Sequence, residues 1–372
     1  MKRSTEVVIV GGGVTGCSIA YGLRKRGVDV VVLDQGEIGA QASRAATGML
    51  APLKPFAKPD DPYTRLLLAS LARFPGLIAE LEEMTGIDIE YTQTGTLRIM
   101  SPKQASRLET WIVTWRQEGY PLELLTGDQL RDCEPGLAPH VSLALYRPGE
   151  PQLNASHLTQ AYARAAEQLG ARFYAHEEVV ALHHHGNCIT GVQTAYGERI
   201  ACQHLVLATG AWAGRSGAWL NLALPVQPLR AQSLAVRQPA LPVRHLLFGG
   251  GIYLAPKCNR TVIVGVARDE AGFDVQTTPE GVAWLFQAAQ QLVPGLAACP
   301  VEQAWAGLLP ITPDARPIVG KAPYWDNVTL ACGYNGYGIL LAASTGEMLA
   351  EQVVIGQMPE MLRPFAPERF SC

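Results

Sequence analysis

The sequence predicts an α/β protein: a Rossmann-like nucleotide-binding domain interrupted by a second, α+β domain built on an antiparallel sheet. Three observations carry this expectation. The chain opens on an apolar strand that runs into glycines, Val7-Val8-Ile9-Val10-Gly11-Gly12-Gly13-Val14-Thr15-Gly16. The logic of apolar strand and small-residue turn returns in Leu205-Val206-Leu207-Ala208-Thr209-Gly210-Ala211-Trp212, and again where Val328-Thr329-Leu330-Ala331 leads into Gly333 to Gly338. Between these stretches the pattern changes to hairpins, including Ile252-Tyr253-Leu254 and Val262-Ile263-Val264 joined by Lys257-Cys258-Asn259-Arg260.

At the N-terminus Gly11, Gly13 and Gly16 fit G-x-G-x-x-G. The first permits a tight turn, the second lets the backbone approach a pyrophosphate, and the third lets the helix pack close to the strand. The helix would then point its free N–H groups at the phosphates. A second strand, Val28 to Leu33, ends in Asp34, where a carboxylate can accept ribose hydroxyls. Gly36 to Gly48 is too polar for a strand and too poor in large residues for core, so it reads as a second loop wrapped around the ligand.

Helical periodicity follows from about Tyr63 to Met84, with a kink expected at Pro75. Next comes a hairpin pattern around Ile89-Glu90-Tyr91 and Thr96-Leu97-Arg98-Ile99, then helices near 102–118 and 127–132. Asn154 or Ser156 can cap a helix that Gly170 stops. Short strands run from Phe173 to Leu207, and a helix near 279–292 ends at Pro294-Gly295. The last helix spans about Ile339 to Ile355. The expected domain boundaries are 1–80, 150–218 and 306–372 for the nucleotide domain, and 81–149 and 219–305 for the substrate domain.

Composition sets the class. The chain has 372 residues, 48% hydrophobic and 17% charged, enough to bury two cores. A net charge of −3 provides no field for a polyanion, and no nucleic-acid partner is expected. Met1-Lys2-Arg3-Ser4 leads at once into the first strand, so neither a signal segment nor a membrane span is expected. The eight cysteines, Cys17, Cys133, Cys188, Cys202, Cys258, Cys299, Cys332 and Cys372, form no C-x-x-C pair and read as reduced thiols of a cytoplasmic protein. His183-His184-His185 would alternate faces on a strand, so no metal is expected there, and Ser43 has no His/Asp partner motif for hydrolysis.

Together the pieces resemble the D-amino-acid oxidase superfamily of FAD enzymes, with the glycine oxidases the nearest branch. The markers are the N-terminal glycines, Ser43 to Met49, Ala208 to Trp212, Gly272-Phe273-Asp274, Trp305-Ala306-Gly307-Leu308, Thr312-Pro313-Asp314 to Gly320, and Gly338-Ile339-Leu340-Leu341. The resemblance implies a nucleotide domain of the glutathione-reductase type holding FAD. Gly11, Gly13, Val14, Thr15, Gly16, Asp34 and Gln35 would hold its ADP half, with Val179 on the adenine side. Ser43, Arg44, Ala46, Thr47, Gly48 and Met49 would hold the ribityl chain and flavin, with Thr209, Gly210, Trp212, Gly336, Tyr337, Gly338 and Ile339 lining the ring. Covalent relatives carry a cysteine in the segment matching 307–314; this chain has none there, so the FAD is expected to be non-covalent.

The sequence departs from the family at the substrate. Where relatives carry arginine in Gly-Leu-Arg-Pro, this chain reads Gly307-Leu308-Leu309-Pro310, and a second family arginine falls on Gly336. Both losses remove the guanidinium fork that matches a carboxylate. Arg268, just before Asp269, is the candidate replacement, with Arg44 second; the alternative is that Arg268 pairs with Asp269, Glu270 or Asp274. Tyr253 matches the family's substrate-side tyrosine, and Met49 completes the expected catalytic set. Gly249-Gly250-Gly251 stands where relatives have larger residues and suggests a roomier pocket. The resemblance thus implies an oxidase of glycine, an N-substituted glycine or a related amino acid, giving an imine, an oxo acid such as glyoxylate, and H2O2 from O2. The rival reading is a dehydrogenase of a D-amino acid with a quinone or protein acceptor. Oligomeric state is left open, a homo-oligomer included.

Overall fold

A computed structural model describes residues 4–370; Met1, Lys2, Arg3 and Cys372, named above, lie outside them. In chain order the elements begin with β1 (Ser4–Val10), α1 (Val14–Lys25), β2 (Val30–Leu33), α2 (Ala42–Ala45), α3 (Pro62–Thr85), β3 (Thr92–Gln93), β4 (Thr96–Ile99), α4 (Ala105–Gln117), β5 (Glu123–Thr126) and α5 (Gly127–Cys133). They continue with β6 (Leu143–Arg147), β7 (Pro151–Gln152), α6 (Ala155–Gln168), β8 (Arg172–Tyr174), β9 (Val179–His185), β10 (Cys188–Thr194), β11 (Arg199–Leu207) and α7 (Ala213–Gly217). The last are β12 (Gln227–Arg237), β13 (Leu246–Gly249), β14 (Ile252–Pro256), β15 (Thr261–Asp269), α8 (Pro279–Leu292), β16 (Val301–Ile311), β17 (Ile318–Lys321), β18 (Val328–Cys332) and α9 (Gly338–Ile355).

Two eight-stranded sheets organise them. The first has the order β17-β18-β11-β1-β2-β8, with the β9 and β10 pair joined to β11. Its central strands β18, β11, β1, β2 and β8 are parallel, which explains why Val7 to Val10 and Val30 to Leu33 read as unbroken apolar runs: both faces are covered. Helices α1, α3, α6 and α9 bury one of these faces through Ile9, Ile19, Leu66, Phe74, Leu158 and Leu340. The second sheet, β16-β12-β15-β14-β13-β4-β6-β5, is antiparallel except where β13 runs parallel to β4. Its covered side packs on α8 through Leu234, Leu254, Val264 and Leu285.

Several expectations change. Thr92–Gln93 pairs with β7, whereas β4 pairs with β6 and β13, so residues 89–99 form no hairpin. Gly95, at φ +73°, turns the chain from one sheet to the other. Part of the expected loop 36–48 is the short helix α2. Helix α3 spans Pro62–Thr85 as the periodicity predicts, with Phe74 and Ile78 buried on either side of Pro75. The boundary expected at 305/306 falls inside β16, whose pairing with β12 continues to Gln227 opposite Ile311, so the second sheet extends past it. Among the described residues α9 alone is long and apolar enough to cross a bilayer, but 61% of it is buried in the protein. All seven described cysteines are free.

One half-buried base makes stability depend on pH. His204 on β11 lies opposite Val7, and a ring nitrogen is 2.9 Å from the Thr329 hydroxyl. Burial, and then Lys321, pushes its pKa down to about 4. The unfolded chain binds this proton near pH 6.5 and the folded chain refuses it until about pH 4, so stability is lost as pH falls through that window. At pH 5 the loss amounts to about 2 kcal/mol. Urea midpoints at pH 7 and pH 5 should therefore fall further apart for the native protein than for His204→Gln; equal falls would exclude His204 as the cause.

Candidate active site

One elongated cleft runs along the carboxyl ends of β1, β2 and β11, the place where parallel sheets bind nucleotides. Gly11, Gly13, Val14, Thr15, Asp34 and Gln35 line one end, with Glu177 and Val179 beside them. Thr209, Gly210, Trp212, Gly336, Gly338 and Ile339 line the rest, together with Ser43, Ala46 and Leu309.

The glycines have distinct physical jobs. Gly11 sits at φ +109°, and a Cβ there would lie 2.3 Å from the Ala208 carbonyl oxygen. At Gly16 a Cβ would lie 1.9 Å from the Gly11 oxygen, so α1 can approach β1 only with glycine here. At Gly13 a Cβ would meet only the Ser43 hydroxyl, at 3.3 Å, and would otherwise project into the cleft. Gly16 thus packs beneath the cleft, and Gly13 keeps it open. The Ser43 hydroxyl accepts the Val14 N–H at 2.9 Å and so satisfies one of the free donors at the start of α1.

The cleft fits FAD on features of its own. Asp34 accepts the Gly12 N–H at 2.7 Å through Oδ2 and the Gly36 N–H at 2.9 Å through Oδ1, which leaves a lone pair on each oxygen for ribose hydroxyls. Burial raises its pKa above the ordinary carboxylate value against these two bonds. Glu177, which the sequence reading missed, keeps a buried Oε2 with no partner on the cleft wall, an acceptor suited to a hydroxyl or amino donor. The signal available was its place two residues before Val179. The N-terminal residues of α9, Gly338 and Ile339, face the cleft and present unpaired N–H groups. Arg44 is exposed outside the cleft lining.

The substrate side is built by one face of the second sheet. Cross-strand neighbours share a face, and a single row runs Trp305, Ser233, Gly265, Tyr253, Phe248, Arg98 across β16, β12, β15, β14, β13 and β4. Trp305 Nε1 donates to the Ala45 carbonyl at 3.1 Å, which places this face against the loop after α2. The Tyr253 and Thr47 hydroxyls are 2.5 Å apart. Tyr253 lies over Gly265, where a Cβ would come within 2.4 Å of its hydroxyl oxygen. Burial raises the Tyr253 pKa, so the phenol stays protonated.

Arg268 reaches this face because of a bulge. Ser233 pairs with Gly265 but Gln232 pairs with Ala267, leaving Val266 as an extra residue in β15. The extra residue reverses the alternation, so Arg268, opposite Ala231, shares the face of Gly265 and Tyr253. Asp269 turns to the other face and pairs with Arg230, which also holds Asp274 at 2.8 Å. Among the described residues Arg268 makes none of the salt bridges considered for it: Arg230 holds Asp269 and Asp274, and Glu270 forms no ion pair. Leu309, where an arginine was expected, lies on the same sheet face, since Gly307 and Leu309 oppose Ala231 and Leu229.

Gly249, Gly250 and Gly251 do not enlarge this pocket. Gly250 and Gly251, at φ +59° and +81°, form the two-residue β13–β14 turn that requires positive φ at both positions. A Cβ on Gly249 would strike Ile99 at 2.9 Å on the opposite, core-facing side. Met49 sits in an isolated bridge to Gln152 beside the Thr47–Gly48 turn. Lys257, also unforeseen, fixes that turn: its Nζ donates to the carbonyls of Thr47 at 2.6 Å and Leu153 at 3.2 Å and to Gln152 Oε1 at 3.0 Å. Burial lowers its pKa to about 8. Lys257→Met would strand three acceptors, and thermal or urea denaturation should show a loss of about 1–3 kcal/mol; an unchanged midpoint would mean that water replaces the amine. Among the described residues no cluster of three or more His, Cys, Asp or Glu suits a metal.

Similarity to known proteins shows the family. The FAD dependent oxidoreductase (DAO) family matches residues 6–352. Glycine oxidase from Geobacillus kaustophilus is 33% identical over 372 residues, covering 99% of this chain and 98% of that protein. Its crystal structure superposes with a TM-score of 0.93 over the full length of both chains. The Bifunctional protein ThiO/ThiG of Trichormus variabilis is 35% identical over 98% of this chain and 55% of its own length. The crystal structure of iminodiacetate oxidase from Chelativorans sp. BNC1 matches at a TM-score of 0.88 and 25% identity, covering 97% and 99% of the two chains. The chain therefore belongs to the DAO family of FAD-dependent oxidoreductases, as an enzyme that oxidises amino acids.

Proposed function

We propose that this enzyme oxidises a small amino carboxylate, glycine or an N-substituted glycine, to an imine that water hydrolyses to an oxo acid, glyoxylate in the simplest case, with O2 reduced to H2O2. The observation that carries the reading is Arg268: a cation without an ion pair among the described residues, on the sheet face that presents Tyr253 toward the loop after α2. Glycine oxidase and iminodiacetate oxidase among the similar proteins support the substrate class.

When bound, FAD supplies the acceptor for the two electrons of the C–H bond. The chain's residues bind and orient. In this reading Arg268 holds the substrate carboxylate, and the Tyr253 hydroxyl, tied to Thr47, fixes the approach of the amine. Gly11, Gly13, Val14, Thr15, Asp34, Gln35, Glu177 and Val179 take the ADP half, and Ser43 to Met49 with Thr209, Gly210, Trp212 and Gly336 to Ile339 take the flavin half. No general base is required if the amine binds neutral. Glu150, an acid next to the row, is buried and bonded to Arg147 at 2.8 Å. Seven free cysteines support a reducing, cytoplasmic setting.

An H2O2 assay of the purified protein against glycine, sarcosine, longer N-carboxymethyl amines and D-amino acids tests the function; activity on D-amino acids alone, or on none of the amines, would overturn it. Acid precipitation tests the cofactor linkage. Yellow supernatant over colourless protein is expected, and flavin retained in the pellet would show a covalent bond.

A further inference from the structure

Arg268 accounts for one negative charge on a substrate, yet two more cations converge on the same corner. Arg98 ends the cross-strand row, opposite Phe248, which is opposite Tyr253. Its guanidinium carbon is 3.9 Å from the centre of the Phe248 ring, and that ring is 6.3 Å from the Tyr253 ring. Lys54 arrives from the segment between α2 and α3, its Nζ 5.1 Å from the centre of the Tyr337 ring at the start of α9. Partial burial first, then Arg98 and Arg268, hold the Lys54 ammonium below its ordinary pKa, and Tyr337 feels the same two guanidinium groups. Arg98 and Arg268 thus both lie near Lys54 and Tyr337, and the cross-strand row sets Arg98 on the sheet face of Tyr253.

Among the described residues neither Arg98, Lys54 nor Arg268 makes an ion pair, and the acid that reaches Arg98 and Tyr337 is Glu150, already bonded to Arg147. Arg98 is half-buried and Lys54 and Arg268 are exposed, and gathering like charges is unfavourable until an anion joins them. A single α-carboxylate satisfies one of the three.

We propose that Arg98 and Lys54 form a second carboxylate subsite next to Arg268, so that the preferred substrate is an amino acid carrying two carboxylates. The inference rests on the function proposed above. The α-carboxylate lies on Arg268, and the second is held by the planar fork of Arg98 and the point charge of Lys54. A neutral or cationic substituent would leave those cations unpaired, so the site selects by repulsion as well as attraction.

Calorimetric titration of the holoenzyme with glutarate and with pentanoate, equal in length and different by one carboxylate, reads the subsite without turnover. Glutarate should bind at least about tenfold more tightly, and Lys54→Met and Arg98→Met should each bring the ratio toward one. Two variants are used because Lys54 is exposed and can be removed without disturbing the sheet. In turnover, N-(2-carboxyethyl)glycine should exceed N-propylglycine in kcat/KM by a similar factor, and the same variants should erase the preference. Equal affinities and equal kcat/KM would overturn the subsite while leaving amine oxidation intact. Failure of both amines to reduce the flavin would overturn the oxidase reading instead, and the calorimetric ratio would still decide whether the corner binds two carboxylates.

Discussion

Arg268→Met is expected to lower kcat/KM on an amino carboxylate by about 2–3 kcal/mol, roughly 30- to 150-fold, while the protein keeps its flavin and its stability. The size follows from where the guanidinium lies. A substrate carboxylate carried into a partly dry pocket needs a charged partner, and truncating one member of such a pair costs about 2–5 kcal/mol. Arg268 is exposed, so the lower part of that range applies. Stability should not change, because Arg268 holds none of the ion pairs that brace this end of the sheet; Arg230 holds them. The uncharged amide of the same substrate should lose much less. If kinetics on the best carboxylate substrate stay within about twofold, the carboxylate binds elsewhere.

Gly13→Val should purify folded and without flavin. A Cβ at this position meets only the Ser43 hydroxyl at 3.3 Å, so the protein can accommodate the side chain, but its two methyl groups would fill the space left for the pyrophosphate. Gly16→Val provides the contrast. There the Cβ would stand 1.9 Å from the Gly11 oxygen, so the strand–helix unit itself must move and the protein should fail to fold. An absorption spectrum and circular dichroism of the two variants separate loss of the site from loss of the fold. A yellow Gly13→Val protein would remove the pyrophosphate from this turn.

Most of the nucleotide domain is legible from local sequence, because its strands are buried on both faces and its turns demand glycine. Val7 to Gly16 carries its whole geometry in ten residues, down to which glycine turns, which opens and which packs. The substrate side is less legible because it depends on pairing between distant strands. Val262 to Arg268 looks like a plain alternating strand, and only its register against Ser233 and Gln232 exposes the bulge at Val266 that turns Arg268 inward. Arg98 sits 155 residues before Tyr253 in a segment that reads as half of a local hairpin, and nothing nearby in sequence places it beside Phe248. Glycines misled for the same reason: Gly249 to Gly251 read as room in the pocket, and the turn at Gly250-Gly251 and the neighbour Ile99 decide against it. Glu177 and Lys257 escaped notice as ordinary charged residues, although each is defined by buried partners or the lack of them.

A carboxylate clamp relocated to Arg268 within an FAD-dependent amine oxidase is the centre of the proposed function. Anaerobic mixing of the holoenzyme with an N-substituted glycine and with its amide, followed as bleaching of the flavin absorbance, tests it most directly. Bleaching by the carboxylate at least about 30-fold faster than by the amide is the expected result. Equal rates for the two, or no bleaching by either, would contradict it.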